Sequence, residues 1–423
     1  MENAIRSRLL PDVFLTAIKT DKFKSGAITL NLLRPLRDEE AAMNALFPVI
    51  LRRGTAEHPD LISIAAELDE LYGASIGAVV RKRGEVQVVG LSVEFNDDRF
   101  LPEDGLLEKI CALMGEMLLR PVTDGDKFDE EYFESEKKNL IDLINAKVND
   151  KISYAQSRLI ESMCADEAYG IDKTGSRQQA EIITNEELYR HYRKVLETSQ
   201  IEIIYVGSAD SDRVENAMLN ALKELPRGEM IPTGTSTEYI ASEPKYVEDA
   251  MDVTQGKLSI GFRTGVTAAD EDYPDMVLFN AVFGGSLNSK LFMNVREKLS
   301  LCYYASSGLE KFKGLMIVNS GVEFENYQIA KDEIFAQLEA CKNGDITDEE
   351  LEGARKYMLN ALRCQDDSLA AQEESALSRI IGGYDRTAAE LAQQLEKLTA
   401  ENVVRAANKV RLDTVYFLKG VEK

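Results

Sequence analysis

Residues 283–304 read Phe283-Gly-Gly-Ser-Leu-Asn-Ser-Lys-Leu-Phe-Met-Asn-Val-Arg-Glu-Lys-Leu-Ser-Leu-Cys-Tyr-Tyr304, and the order of elements in this stretch organises the rest of the chain. The run before it, Asp272 to Phe283, sets apolar residues at helical spacing behind Asp272 and Pro274, a helix-start signal. Gly284-Gly285 is expected to end that helix, because glycine tolerates the left-handed backbone that closes a helix terminus. Ser286 is then expected to cap a second helix, with Leu287, Leu291, Phe292 and Val295 on one face. That helix ends near Ser300, and Leu301 to Ser307 reads as a strand. Arg296 falls in the last turn and Tyr303 in the strand. A guanidinium and a phenol placed together both donate hydrogen bonds to one carbonyl or oxyanion. The competing reading has Arg296 satisfying helix-end carbonyls and Tyr303 buried in a core.

Outward from this stretch, the chain repeats itself. Phe128 to Leu140 and Thr347 to Leu359 each begin a long amphipathic helix behind an acidic cap, Asp126 or Asp129 in the first and a Thr347/Glu350 capping box in the second. Each leads to further helical sequence, then to a shorter capped helix (Thr184 to Val195; Thr399 to Val410) and an apolar strand (Ile201 to Gly207; Thr414 to Gly420). Earlier in each half, 27–34 and 257–263 are strand candidates followed by an acidic turn and a helix. Paired strands follow, 76–82 with 86–95 and 301–308 with 314–322, with Gly84 and Gly314 at the turns. The two sets lie about two hundred residues apart, far above a solenoid period. The pattern predicts an α+β protein of two homologous domains, each an antiparallel sheet covered by helices, at residues 1–229 and 230–423. The boundary falls in 225–237, rich in Pro, Gly and Thr.

Composition bounds function. Acidic residues outnumber basic ones, 73 to 50, for a formal charge of −23. Such a field repels nucleic acid and anionic membranes, so neither is expected as a partner. The five cysteines contain no CxxC pair, which argues against a disulfide framework or thiolate metal site and suits a reducing compartment. With no apolar leader and no long apolar run, a cytoplasmic protein is expected.

Two α+β copies joined by a linker, with the Gly284 to Tyr303 segment in the second, resemble the insulinase (pitrilysin) family of metallopeptidases over essentially the whole chain. In the first half, Leu46 to Thr55 and the following Leu68-Asp-Glu-Leu-Tyr-Gly73 are similar to that family's catalytic region. The resemblance implies two domains forming one bowl, half of a clamshell that closes around a peptide. Active members carry H-x-x-E-H on a helix, with a later glutamate. Two imidazoles and a carboxylate leave a zinc position for water, and the motif glutamate takes its proton. Anchored on Arg53-Gly54-Thr55, the motif positions here are Ala45-Leu46-Phe47-Pro48-Val49, so Ala45 and Val49 stand for the histidines and Pro48 for the base. The later glutamate falls at Leu143, or at Asp142 one residue earlier, while Glu136, an earlier acid of the family pattern, is kept. The chain has two histidines, His58 and His191, neither with a second histidine at ligand spacing. No metal and no other cofactor is expected.

Arg296 and Tyr303 match positions where related peptidases carry an Arg and Tyr that contact substrate at the zinc site. The resemblance therefore implies a non-catalytic subunit that binds peptide through this pair. Its partner would be a zinc-bearing homologue, as a heterodimer, or itself, as a homodimer. It equally admits an inactive scaffold or accessory protein, since bacterial relatives have been associated with elongation factor P modification. Other groupings read more simply as structure. Cys302 lies in an apolar strand, with nothing in the sequence to bring it to His191. Asp129, Glu130, Glu131, Glu134 and Glu136 complement the positive end of their helix.

Overall fold

The computed structural model describes residues 4–237 and 243–421. Its strands are β1 (Ala4–Leu10), β2 (Val13–Lys19), β3 (Ser25–Pro35), β4 (Ser75–Arg83), β5 (Val86–Asn96), β6 (Gln200–Gly207), β7 (Lys245–Met251), β8 (Gly256–Arg263), β9 (Cys302–Glu310), β10 (Leu315–Val322) and β11 (Arg411–Gly420). They form one sheet in the order β1-β2-β6-β3-β5-β4 and another in the order β7-β11-β8-β10-β9. Pairing is antiparallel except for β2 with β6 and β7 with β11, which run parallel. Apart from the added edge strand β1, the second sheet repeats the first position for position. That is the duplication read from the sequence.

The helices of the first half of the sequence begin with α1 (Asp38–Leu51), α2 (Leu61–Glu70), α3 (Leu106–Leu119) and α4 (Glu130–Ala146). Next come α5 (Lys151–Met163), α6 (Arg177–Ile182), α7 (Asn185–Thr198) and α8 (Ser211–Ala221). In the second half α9 (Tyr273–Asn280), α10 (Tyr327–Asn343), α11 (Asp348–Cys364), α12 (Leu369–Gly382), α13 (Ala388–Leu395) and α14 (Ala400–Ala407) follow. Residues 225–237 carry neither helix nor strand. Gly84 and Gly314 take positive φ at their hairpin turns, as expected. Among the described residues no helix is long and apolar enough to cross a membrane.

The chain divides into two compact units, neither of them a single run: Met1–Asn145 with Ile171–Gly234 and Asp366–Ile381, and Ala146–Gly170 with Thr235–Gln365 and Gly382–Lys423. In the first unit, one sheet face packs a large core with α1, α3, α4, α7 and α8. The other packs Leu33, Val88 and Ile204 against Leu369, Ala376 and Leu377 of α12. In the second unit, α9, α10, α11 and α14 cover one face. Ala155 and Leu159 of α5 pack with Ile317, Tyr416 and Leu418 on the other. The counterparts α5 and α12 thus each cover the sheet of the opposite half of the sequence. Ion pairs accompany the exchange: Arg81 to Glu373 at 2.8 Å in the first unit and Arg263 to Glu167 at 2.6 Å in the second. With both faces covered, β3 and β6 are buried almost end to end, the polar Thr29, Asn31 and Glu202 included, rather than alternating buried with exposed.

Candidate functional site

In the second unit, the Arg296/Tyr303 segment departs from the expected helix–cap–helix pattern. After α9 the chain continues as a π-helical turn over Ala281–Gly285, and Leu291–Lys298 is also π-helical, with Leu299 N donating to Asn294 O at 3.2 Å. Wide turns of this kind recur at functional sites. Neither Gly284 nor Gly285 has positive φ, so the expected left-handed cap is absent. What requires glycine is close packing: a Cβ on Gly284 would lie 2.6 Å from Ser307 Oγ and 2.7 Å from Leu291 Cδ1, and one on Gly285 would lie 2.5 Å from Asn280 Nδ2. Ser286 does not cap either, since its hydroxyl is buried with no hydrogen-bond partner among the described residues. Ser289 takes that place, its Oγ accepting from Phe292 N at 3.4 Å. Leu291 and Val295 are buried as expected, but Leu287 is 67% exposed, because it lies in the turn between the two π segments and not on a helix.

Buried anchors hold the segment from below. Lys290 Nζ donates to Glu350 Oε1 and Oε2 of α11 at 2.9 and 3.0 Å, and Asn294 Nδ2 donates to Gln337 Oε1 of α10 at 2.9 Å. Leu301 N donates back to Val295 O at 3.1 Å, tying the start of the strand to the π turn. Between them Ser300 has φ +50, the left-handed region, uncommon for a residue with a Cβ.

Arg296 and Tyr303 are presented outward. The Arg296 guanidinium stacks over Phe292, 4.6 Å from the ring centroid, and faces Glu297 at 3.4 Å. Among the described residues it has no hydrogen bond to a helix-end carbonyl, and its side chain is 40% exposed. β9 is an edge strand, and its pairing with β10 slips at one place: Cys302 faces Val322 and Tyr304 faces Gly321. Tyr303 is therefore the extra residue of a β-bulge, the device by which edge strands re-aim a side chain, and it is 67% exposed. Cys302 is buried, and burial raises its thiol pKa despite the opposing charge of Arg296. Leu287, Met293 and Leu299 of the same segment are also exposed.

In the first unit, the motif positions lie on α1. Ala45 and Pro48 are buried, and Pro48 interrupts the helical hydrogen bonding from within. Val49 is half-buried, and Leu143 of α4 is 56% exposed. Among the described residues no group of three His, Cys, Asp or Glu is arranged to hold a metal ion. Glu136, buried on α4, accepts from Arg53 Nη1 at 2.7 Å and from Asn139 Nδ2 at 3.0 Å. His58 lies 4.0 Å from Glu116, and His191 is buried against Asn44 at 2.7 Å. Asp129 caps α4 by accepting from Tyr132 N at 3.0 Å. The pairings of Arg53 with the buried Glu136 and of the buried Lys290 with Glu350 escaped the sequence reading. Pairings this distant along the chain leave no local signal.

The family described as Peptidase M16 inactive domain matches residues 183–358. A Bacillus subtilis protein described as a probable inactive metalloprotease, YmfF, is 37% identical over 407 residues, covering 96% of this chain and 95% of that one. The chain belongs to the M16 (insulinase/pitrilysin) peptidase family. Solved structures agree on the fold of this M16 protein. A conserved protein from Enterococcus faecalis V583 superposes with a TM-score of 0.90 at 27% identity, covering 100% and 99% of the two chains. An M16 inactive domain from Pseudomonas fluorescens reaches 0.79 at 18% identity, covering 99% of each. With His58 and His191 as its two histidines, this M16 member has no H-x-x-E-H in its sequence.

Proposed function

We propose that this chain is a non-catalytic subunit that pairs with a zinc-bearing M16 homologue and completes a peptide-degrading chamber, contributing Arg296 and Tyr303 to substrate. The observations that carry this reading are the bulge that turns Tyr303 outward and, seven residues before it, an exposed Arg296 with no hydrogen bond to a helix-end carbonyl among the described residues. The guanidinium holds a peptide carbonyl, and the phenol stabilises charge on its oxygen as water attacks at the partner's zinc. The name of the Bacillus subtilis relative supports the absence of catalysis by this subunit alone. An accessory scaffold with no peptidase role expects the pair to face a packed interface or the domain interior, and their exposure within this chain speaks against the interior.

The test is reconstitution with an H-x-x-E-H homologue from the same cell. The isolated chain should hold no stoichiometric zinc by elemental analysis and cleave no peptide, whereas the mixed complex cleaves. Arg296→Ala should lower cleavage about tenfold or more while leaving assembly intact. Unaltered turnover by that variant removes the substrate-contact role, and one tightly held zinc per isolated chain removes the whole reading.

A further inference from the structure

Within the first unit a cavity of about 550 Å³ opens between α1, α6 and α7, walled by Ala42, Met43, Ile182, Ile183 and the ring of His191. That size accommodates a small-molecule or a large side-chain group. Ala45, Pro48 and Val49 lie elsewhere on α1 and do not line it. The charged lining residues, Glu39, Glu187, Arg190 and Lys194, are all exposed and sum to no net charge, so the surroundings select for neither an anion nor a cation.

The chemistry of the cavity is decided by a chain of buried hydrogen bonds. Gln87 Nε2 donates to the carbonyls of Ala41 and Lys173, at 3.0 and 2.6 Å, and carbonyls only accept. Gln87 Oε1 must therefore face Asn44, and it accepts from Asn44 Nδ2 at 2.8 Å. Asn44 in turn presents Oδ1 to His191 Nε2 at 2.7 Å, so Nε2 carries the proton. The neutral ring is left with Nδ1 as a bare lone-pair acceptor. Among the described residues no group donates to Nδ1, although His191 is only 7% exposed and lines the cavity.

We propose that this cavity binds an uncharged, mainly apolar group bearing one N–H or O–H donor, which donates to His191 Nδ1. The group arrives either as a free small molecule or as a peptide side chain of the tryptophan or tyrosine kind. The assignment is independent of Arg296 and Tyr303. Calorimetric titration of the full chain with indole and with 1-methylindole, which keeps the ring and loses the donor, tests it. Indole should bind roughly three- to tenfold tighter, the worth of one neutral hydrogen bond. His191→Phe should erase that preference. Because this change orphans Asn44 Oδ1, Met43→Trp provides a second arm that fills the cavity and should abolish indole binding. N-acetyltryptophanamide binding as tightly as indole assigns the site to a peptide side chain, and binding of indole alone assigns it to a free molecule. Equal affinity for indole and 1-methylindole, no binding of any probe, or unchanged indole binding to Met43→Trp overturns the proposal.

Discussion

Arg53 Nη1 lies 2.7 Å from Glu136 Oε1, so a cation of the protein's own compensates this buried acid of α4. Arg53→Ala leaves that carboxylate buried and unpaired, which should lower unfolding free energy by about 2 kcal/mol, less than a fully sealed pair because Arg53 is partly exposed. The double change Arg53→Ala with Glu136→Leu should recover most of the loss. Urea unfolding of the single and double variants measures both, and equal destabilisation would mean the pair is not the cause.

Gly284 is needed for contact rather than conformation. Gly284→Ala drives a methyl group into Ser307 and Leu291, at a cost of roughly 2 kcal/mol. Gly308 on the same edge strand has nothing within 4 Å of its Cβ position, and Gly308→Ala should stay within about 0.5 kcal/mol of the parent. Thermal melts of the two variants should differ plainly.

The exposed pair should separate function from stability. Arg296→Ala and Tyr303→Ala each remove a surface side chain, so unfolding midpoints should move by no more than about 0.5 kcal/mol. A large loss of stability in either would identify a structural role and account for lost cleavage without substrate contact.

Burial holds the His191 pKa down, to about 4, with Arg34 and Lys194 adding to the depression and Glu40 opposing it. The unfolded state therefore takes up a proton first as pH falls. The stability present above the ordinary histidine pKa of about 6.5 should drain away between there and 4, by about 3 kcal/mol in all. Glu40 works in the same direction at lower pH. Burial alone would raise its pKa, but the hydrogen bond and charge of Arg34 outweigh that and hold it low, so its contribution is lost as the carboxylate is protonated. Denaturation midpoints between pH 7 and 5 isolate the histidine, and His191→Phe should flatten that part of the profile.

Much of this protein was legible in residue order. Capping pairs, apolar periodicity and glycine turns placed the long helices and the central strands of both halves, and the absence of H-x-x-E-H from a sequence with two distant histidines needs no coordinates. The strands β2 and β7 escaped because their partners β6 and β11 lie far along the chain, and β1, a largely exposed edge strand, escaped with the β2 it pairs with.

Only the tertiary structure decided which sheet each apolar helix face would cover. Periodicity shows that α5 and α12 have a face to bury, yet it carries nothing about the partner, and each crosses to the sheet of the other half. The same holds for Tyr303, whose outward aim comes from a slipped register against β10, and for His191, whose free nitrogen is set by Gln87 and Asn44. Local sequence dictates backbone preference and which surfaces must leave water. Contacts between residues far apart in the chain decide where those surfaces, and the donors and acceptors among them, come to rest.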